Sequence, residues 1–141
     1  MPATAQDAKG LLLSAIDDPN PVLVLEHKLL YKTSGPVTEE AIRTPIGKSH
    51  VARQGKDVVI VATGVMVSRS LEAAAALAEK GIDATVIDVR TLSPLDMEPI
   101  EQAIHLNNMS KFEDCWFDDF GKWSSYDIPC LFMDGKTLEI T

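Results

Sequence analysis

Cysteine is scarce in this chain. Its 141 residues hold two, Cys115 and Cys130, far too few for a disulfide framework. That points to a reducing compartment, and a cytoplasmic location is the expectation. Basic residues are in the minority, 13 Lys and Arg against 21 Asp and Glu, for a net charge of -8. Nucleic-acid binding needs clustered positive charge, so this balance argues against it. No apolar run approaches the ~20 residues that span a bilayer, and no charged-then-apolar leader follows Met1. Neither a nucleic acid nor a membrane is expected as a partner. Three histidines, His27, His50 and His105, stand at no metal-ligand spacing with the cysteines or with each other. A Gly-x-Ser-x-Gly elbow, a Gly-x-Gly-x-x-Gly loop and a Walker loop are all absent.

What remains is an ordinary globular composition, 45% hydrophobic and 24% charged. Thr4 and Asp7 read as a capping box, with Thr4 accepting from the first amides and Asp7 reaching back. Ala8, Leu11, Leu12, Ala15 and Ile16 follow at helical spacing, and Gly10 weakens that pattern slightly. Asp17-Asp18-Pro19-Asn20-Pro21 stops the helix. The continuous apolar run Val22-Leu-Val-Leu-Glu26 predicts a buried strand. Residues 27–45 read as a connector, and 46–53 as extended. Strands are predicted at 57–62 and 84–89, with helices at 67–80 and about 97–106. The first of these helices carries Val67, Leu71, Ala74, Ala75 and Ala78 on one stripe and ends at Gly81; Ser93 or Asp96 caps the second. Strand, helix, strand, helix at this spacing is the pattern of a parallel α/β sheet.

Two places invite a functional reading. Asp88 and Arg90 fall at the carboxyl end of a parallel strand, where open α/β sheets place ligands. Their alternative role is to cap loop amides or to pair with each other. Ser68 and Arg69 follow the Gly64 loop at a helix start, a place for an anion. His27, next to Glu26 and just after a strand, is expected to hydrogen-bond within its loop.

Three stretches together carry a resemblance: DAKGLLLSAIDDPNPVLVLEHKLLY at 7–31, PIGKSHVARQGKDVVIVATGVMVSRSLEAAAALAEKGIDATVIDVRTLSPLD at 45–96, and the helix after them. They resemble, in order and spacing, the beta subunit of the thiamine-diphosphate-dependent decarboxylases of 2-oxo acid dehydrogenase complexes, of pyruvate, branched-chain or acetoin type. The resemblance implies a truncated three-layer α/β/α fold with a short, mainly parallel sheet, like the transketolase C-terminal domain. It divides the chain into a remnant of the pyrimidine-binding domain at 1–31, a linker at 32–45, a partial transketolase C-terminal-like domain at 46–106, and an unrelated tail at 107–141. In that family the cofactor-activating glutamate, the stacking aromatic and a channel histidine lie upstream of the matching segment, and the alpha subunit holds the diphosphate with its Mg2+. The expectation is therefore no catalytic residue and no thiamine diphosphate in isolation. By position, the Ala15 carbonyl, Asp18 and Asn20 match three ligands of the family's structural K+ ion. The implied role is non-catalytic association, with a homodimer as the expected state. The alternative is an enzyme subunit completed by separate chains, with an alpha subunit or the acyltransferase core as partner.

The resemblance stops near residue 106. Seven of the eight aromatics lie in 112–132, and Tyr31 is the exception. From 107 onward there are three basic and seven acidic residues. Such a jump reads as sequence of different origin, the product of recombination or a frameshift in a mobile gene. Its aromatic content argues for structure rather than disorder. Leu131-Phe-Met133, Asp134-Gly135 and Lys136–Ile140 predict a β-hairpin. Trp116, Phe117, Phe120 and Trp123 are spaced to share one helical face, against which Gly121 counts. The tail is expected to cover the sheet.

Overall fold

A computed structural model of the chain describes residues 1–106, and the backbone course of 111–114 and 131–134. Helix α1 (Ala5–Asp17) is followed by a 3-10 turn (Lys28–Lys32), strand β1 (His50–Arg53), strand β2 (Val58–Ala62) and helix α2 (Val65–Glu79). Strand β3 (Ala84–Asp88), helix α3 (Glu98–Leu106), strand β4 (Lys111–Asp114) and strand β5 (Leu131–Asp134) complete the order.

β2 and β3 form the centre because both are apolar on both faces, and every residue of each is buried. They pair in parallel, Val58 with Ala84 through Ala62 with Asp88. Successive side chains alternate sides. Val58, Ile60, Ala84 and Val86 meet Ala74 of α2. Val59, Val61, Ile87 and Val89 meet Ile100 and Ala103 of α3. Three layers result, as the resemblance implies. The sheet runs β1-β3-β2-β5-β4. Beyond the central pair, the ladders β1–β3, β2–β5 and β4–β5 are antiparallel. The sheet is thus mixed: only the central β2–β3 ladder is parallel, and the ladders on either side of it are antiparallel.

The amino ends of the central strands are tied tightly. Lys56 and Asp57 both donate their amides to the Asp83 carbonyl. Gly55 donates to the Thr85 hydroxyl at 2.9 Å, and that hydroxyl donates back to the Gly55 carbonyl. A Cβ at Gly55 would lie 2.6 Å from the Ala84 carbonyl oxygen and 2.7 Å from that of Asp83. Only glycine fits so close a backbone approach.

Several expectations need correction. Residues 22–26 form no strand: no neighbour among the described residues pairs with them, and Leu23 is 88% exposed. In α1 the buried positions are Asp7, Gly10 and Leu11, while Leu12 and Ile16 face solvent. The reason is its partner. α1 lies along residues 38–44, with Ser14 donating to the Thr44 carbonyl at 2.6 Å and Thr44 to that of Gly10 at 3.1 Å. α2 starts at Val65, earlier than the spacing predicts, and buries Val67, Ser70 and Ala74, leaving Ala75 and Ala78 exposed. Gly81 has the expected positive φ of 80° past its end. Asp96 accepts the Ser49 amide at 2.9 Å and so serves the approach to β1. In the tail, the predicted arm Leu131–Met133 lies within β5, which also takes in Asp134, expected in the turn, and β5 pairs with β2 on one side and β4 on the other. The second hairpin arm, 136–140, and the aromatic face at 116–123 lie outside the described residues.

Candidate functional site

The carboxyl ends of β2 and β3 carry the densest group of buried polar side chains among the described residues. Asp88, the last residue of β3, is 2% exposed. Its Oδ1 accepts the Arg90 amide at 3.0 Å. That short reach across one residue holds Arg90 in the left-handed region, at φ 52°. The Arg90 guanidinium makes no ion pair with Asp88 among the described residues. It pairs instead with Asp7 of α1, Nη2 to Oδ1 at 2.8 Å. Asp7 is 4% exposed, and its other oxygen accepts the Thr4 hydroxyl at 2.7 Å. Thr4 in turn accepts the Asp7 amide at 3.0 Å, as the capping box predicts. The Met1 amine donates to the Arg90 carbonyl. Thr63 Oγ1 and Arg90 Nε are buried and have no hydrogen-bond partner among the described residues.

Burial sets the electrostatics. It pushes the Asp88 carboxyl up to about 6, with the Arg90 amide pulling the other way. Nearby Asp7 adds to the rise, while the Arg90 charge and the Met1 amine oppose it. Burial also lowers the Met1 amine, against the attraction of Asp88 and Asp7. His50, in register with Asp88 across β1–β3, is lowered by desolvation and then by Arg90. Asp88 is thereby the buried carboxyl of the cluster that exchanges its proton at about pH 6.

Ser68, His27 and His105 have roles apart from this cluster, whereas Asp18 and Asn20 share a cavity with Met1 and Arg90. Ser68 lies in the first turn of α2 and donates to the Val65 carbonyl at 2.8 Å. Gly64 precedes that turn with no side-chain cap. His27 accepts the Leu29 amide at 3.2 Å, the loop role expected of it. His105 is exposed in the last turn of α3. Asn20 donates both its amide and its side chain to Asp18 Oδ1, at 2.9 and 3.1 Å. Both line a cavity of about 450 Å³ between residues 18–25 and 90–94. Ala15 lies inside α1. A second cavity, about 490 Å³, is lined by α1, the 3-10 turn and Ser68. Among the described residues, no group of three His, Cys, Asp or Glu could hold a metal. No described helix is long and apolar enough to cross a membrane.

Asp7 is the residue that sequence reading misses as a site member. The signal is there: with Gly10, Leu11 and Ser14 it occupies one helical stripe, and a carboxylate on a buried stripe requires a partner.

Residues 47–112 match the transketolase C-terminal domain. This chain is a homologue of 2-oxo acid dehydrogenase beta subunits. It is 52% identical over 103 residues to the acetoin:2,6-dichlorophenolindophenol oxidoreductase subunit beta of Cupriavidus necator, covering 73% of this chain and 30% of that one. It is 49% identical over 107 residues to the mitochondrial pyruvate dehydrogenase E1 component subunit beta-1 of Arabidopsis thaliana, again covering 73% and 30%. A solved split-gene transketolase, described as an inactive beta4 tetramer, superposes with a TM-score of 0.61 at 31% identity, over 77% of this chain and 35% of that one. The chain therefore spans about 30% of the length of these beta subunits. The domain match and the described core coincide: β1, β2, α2, β3 and α3 all fall inside 47–112.

Proposed function

We propose that this stretch of beta-subunit sequence acts by protein association and does not decarboxylate 2-oxo acids on its own. The observation that carries the proposal is the apolar surface of its first 31 residues. Leu12, Ile16, Leu23, Leu25, Leu29 and Tyr31 are each 49% exposed or more. An apolar surface of this kind marks a contact with another chain. The relatives' names agree, since each is a subunit.

The thiamine diphosphate implied by the resemblance does not fit the described residues. A diphosphate with Mg2+ needs free cations and a set of metal-binding oxygens. Arg90 is already engaged by Asp7, Asp88 and Asp7 would repel a phosphate, and no metal-holding group is present among the described residues. The K+ reading of Ala15, Asp18 and Asn20 fits better in chemistry, because oxygen donors suit a hard cation. We keep it as a proposal for the corner after α1.

Two measurements test the function. Light scattering on the purified chain should give at least twice its 15.4 kDa mass. Calorimetry with thiamine diphosphate and Mg2+ should show no binding. Micromolar binding by the chain alone overturns the reading. Binding that appears only after an alpha subunit is added would instead favour an enzyme subunit completed in trans.

A further inference from the structure

We infer that residues 22–26, Val-Leu-Val-Leu-Glu, form a strand pair with the same residues of a second copy, antiparallel about a two-fold axis at Val24. This rests on the association reading and names its contact.

The segment is a strand in all but its partner. No backbone–backbone hydrogen bond is made by residues 21–26 among the described residues. Its exposure nonetheless alternates with a period of two: Val22 and Val24 are half-buried, while Leu23 and Leu25 are 88% and 52% exposed. A helix or an irregular loop does not produce that alternation; an extended strand lying on a surface does. The run is five residues long, as are β2 and β3. Pro21 bounds it on one side and the 3-10 turn from Lys28 on the other. Its own sheet does not take it. Val22–Leu25 border the 450 Å³ cavity opposite Arg90–Pro94, a loop that belongs to no described ladder. Rows of unpaired amides and carbonyls on an exposed apolar strand are a template for strand addition.

A second copy is the partner that the side chains select. Antiparallel pairing about Val24 places Leu23 opposite Leu25 in both directions. Directly opposed side chains sit ~5 Å apart, close enough to cover one another. Glu26, the one charge in the run, meets Val22, so no like charges are opposed. Pro21, which has no amide hydrogen, falls at the end of the ladder, where proline is tolerated. Two-fold pairing joins one edge of each copy's segment, so both copies contribute the same residues to a closed contact.

The test uses the full chain with Cys115→Ser and Cys130→Ser, into which Leu23→Cys or Leu25→Cys is introduced. Each protein is oxidised with diamide alone, and then the two are mixed and oxidised. The register predicts a disulfide dimer several-fold more abundant in the mixture than in either protein alone. In parallel, Val24→Pro removes the central amide and should halve the mass seen by light scattering. A dimer that survives Val24→Pro and gains no cross-link on mixing overturns this inference and leaves association standing. Equal cross-linking of the single variants overturns the register. A monomer at every concentration overturns both this inference and the association reading.

Discussion

Alanine is the best helix former and glycine among the worst, so Gly10→Ala in the middle of α1 should stabilise the helix by ~0.8–1 kcal/mol. The packing of α1 reverses that sign. The added Cβ would run into Thr44 Oγ1, and it would lie 2.9 Å from the Thr44 amide nitrogen and 3.0 Å from the Thr44 Cβ. Carbon contacts are most favourable at about 3.5–4.0 Å. Rotating the threonine relieves the first clash only, because the other two atoms move with the backbone. That backbone is held by the Thr44 amide on the Gly10 carbonyl and by the Ser14 hydroxyl on the Thr44 carbonyl. Overpacking a filled site costs about 1–3 kcal/mol, and a stretched hydrogen bond adds up to about 1 kcal/mol. Set against the propensity gain, Gly10→Ala should show a net loss of up to about 3 kcal/mol. Urea denaturation gives the answer as a lower midpoint at unchanged slope. Ala75→Gly on the exposed face of α2 calibrates propensity in the same protein and should cost about 1 kcal/mol. If Gly10→Ala is instead as stable as the parent or more so, α1 does not lie on Thr44 as described.

Three further outcomes are expected. Asp88 holds its proton up to about pH 6 in the folded state, against an ordinary 3.8. The folded state therefore binds more protons than the unfolded chain in that interval, and stability should fall as pH rises from about 4 to 6. Asp88→Asn should flatten that slope in pH-dependent urea titrations and gain up to about 3 kcal/mol at pH 7. Arg90→Ala leaves Asp7 buried without its cation and should cost about 3 kcal/mol; adding Asp7→Ala should recover part of it in a double-mutant cycle. Replacing choline chloride by KCl at constant ionic strength should raise the melting temperature, and Asp18→Ala should abolish the rise; no response to K+ removes the proposed corner site.

Sequence reading found the centre of the fold because the centre is written locally. Runs such as Val58–Ala62 and Ala84–Asp88 are apolar on both faces, and their periodicity needs no distant partner to interpret. Val22–Glu26 has the same look, yet whether such a run is a strand depends on a neighbour, which lies outside its own letters. The same limit applies to α1. Five apolar positions predict its buried face, but the surface that receives it, at Thr44, is polar and close, so Gly10 and Ser14 turn inward and Leu12 and Ile16 turn out. Asp88 and Arg90 were visible at the strand end from spacing. That Arg90 answers Asp7 rather than Asp88 was not, since the ion pair joins opposite ends of the described chain.

The glycine–threonine clasp at the amino ends of β2 and β3 has a mechanical consequence. At that edge the Gly55–Thr85 bonds and the two amides on the Asp83 carbonyl are neutral, and the Asp57 carboxylate and Arg53 add two further contacts to Asp83. At the opposite edge, cohesion depends on the Asp7–Arg90 ion pair and on Asp88, whose carboxyl changes charge at about pH 6. The central pair is thus a hinge pinned at one end and latched at the other. Local opening should begin at the latch, and the slowest amide hydrogens to exchange should be those nearest the pin.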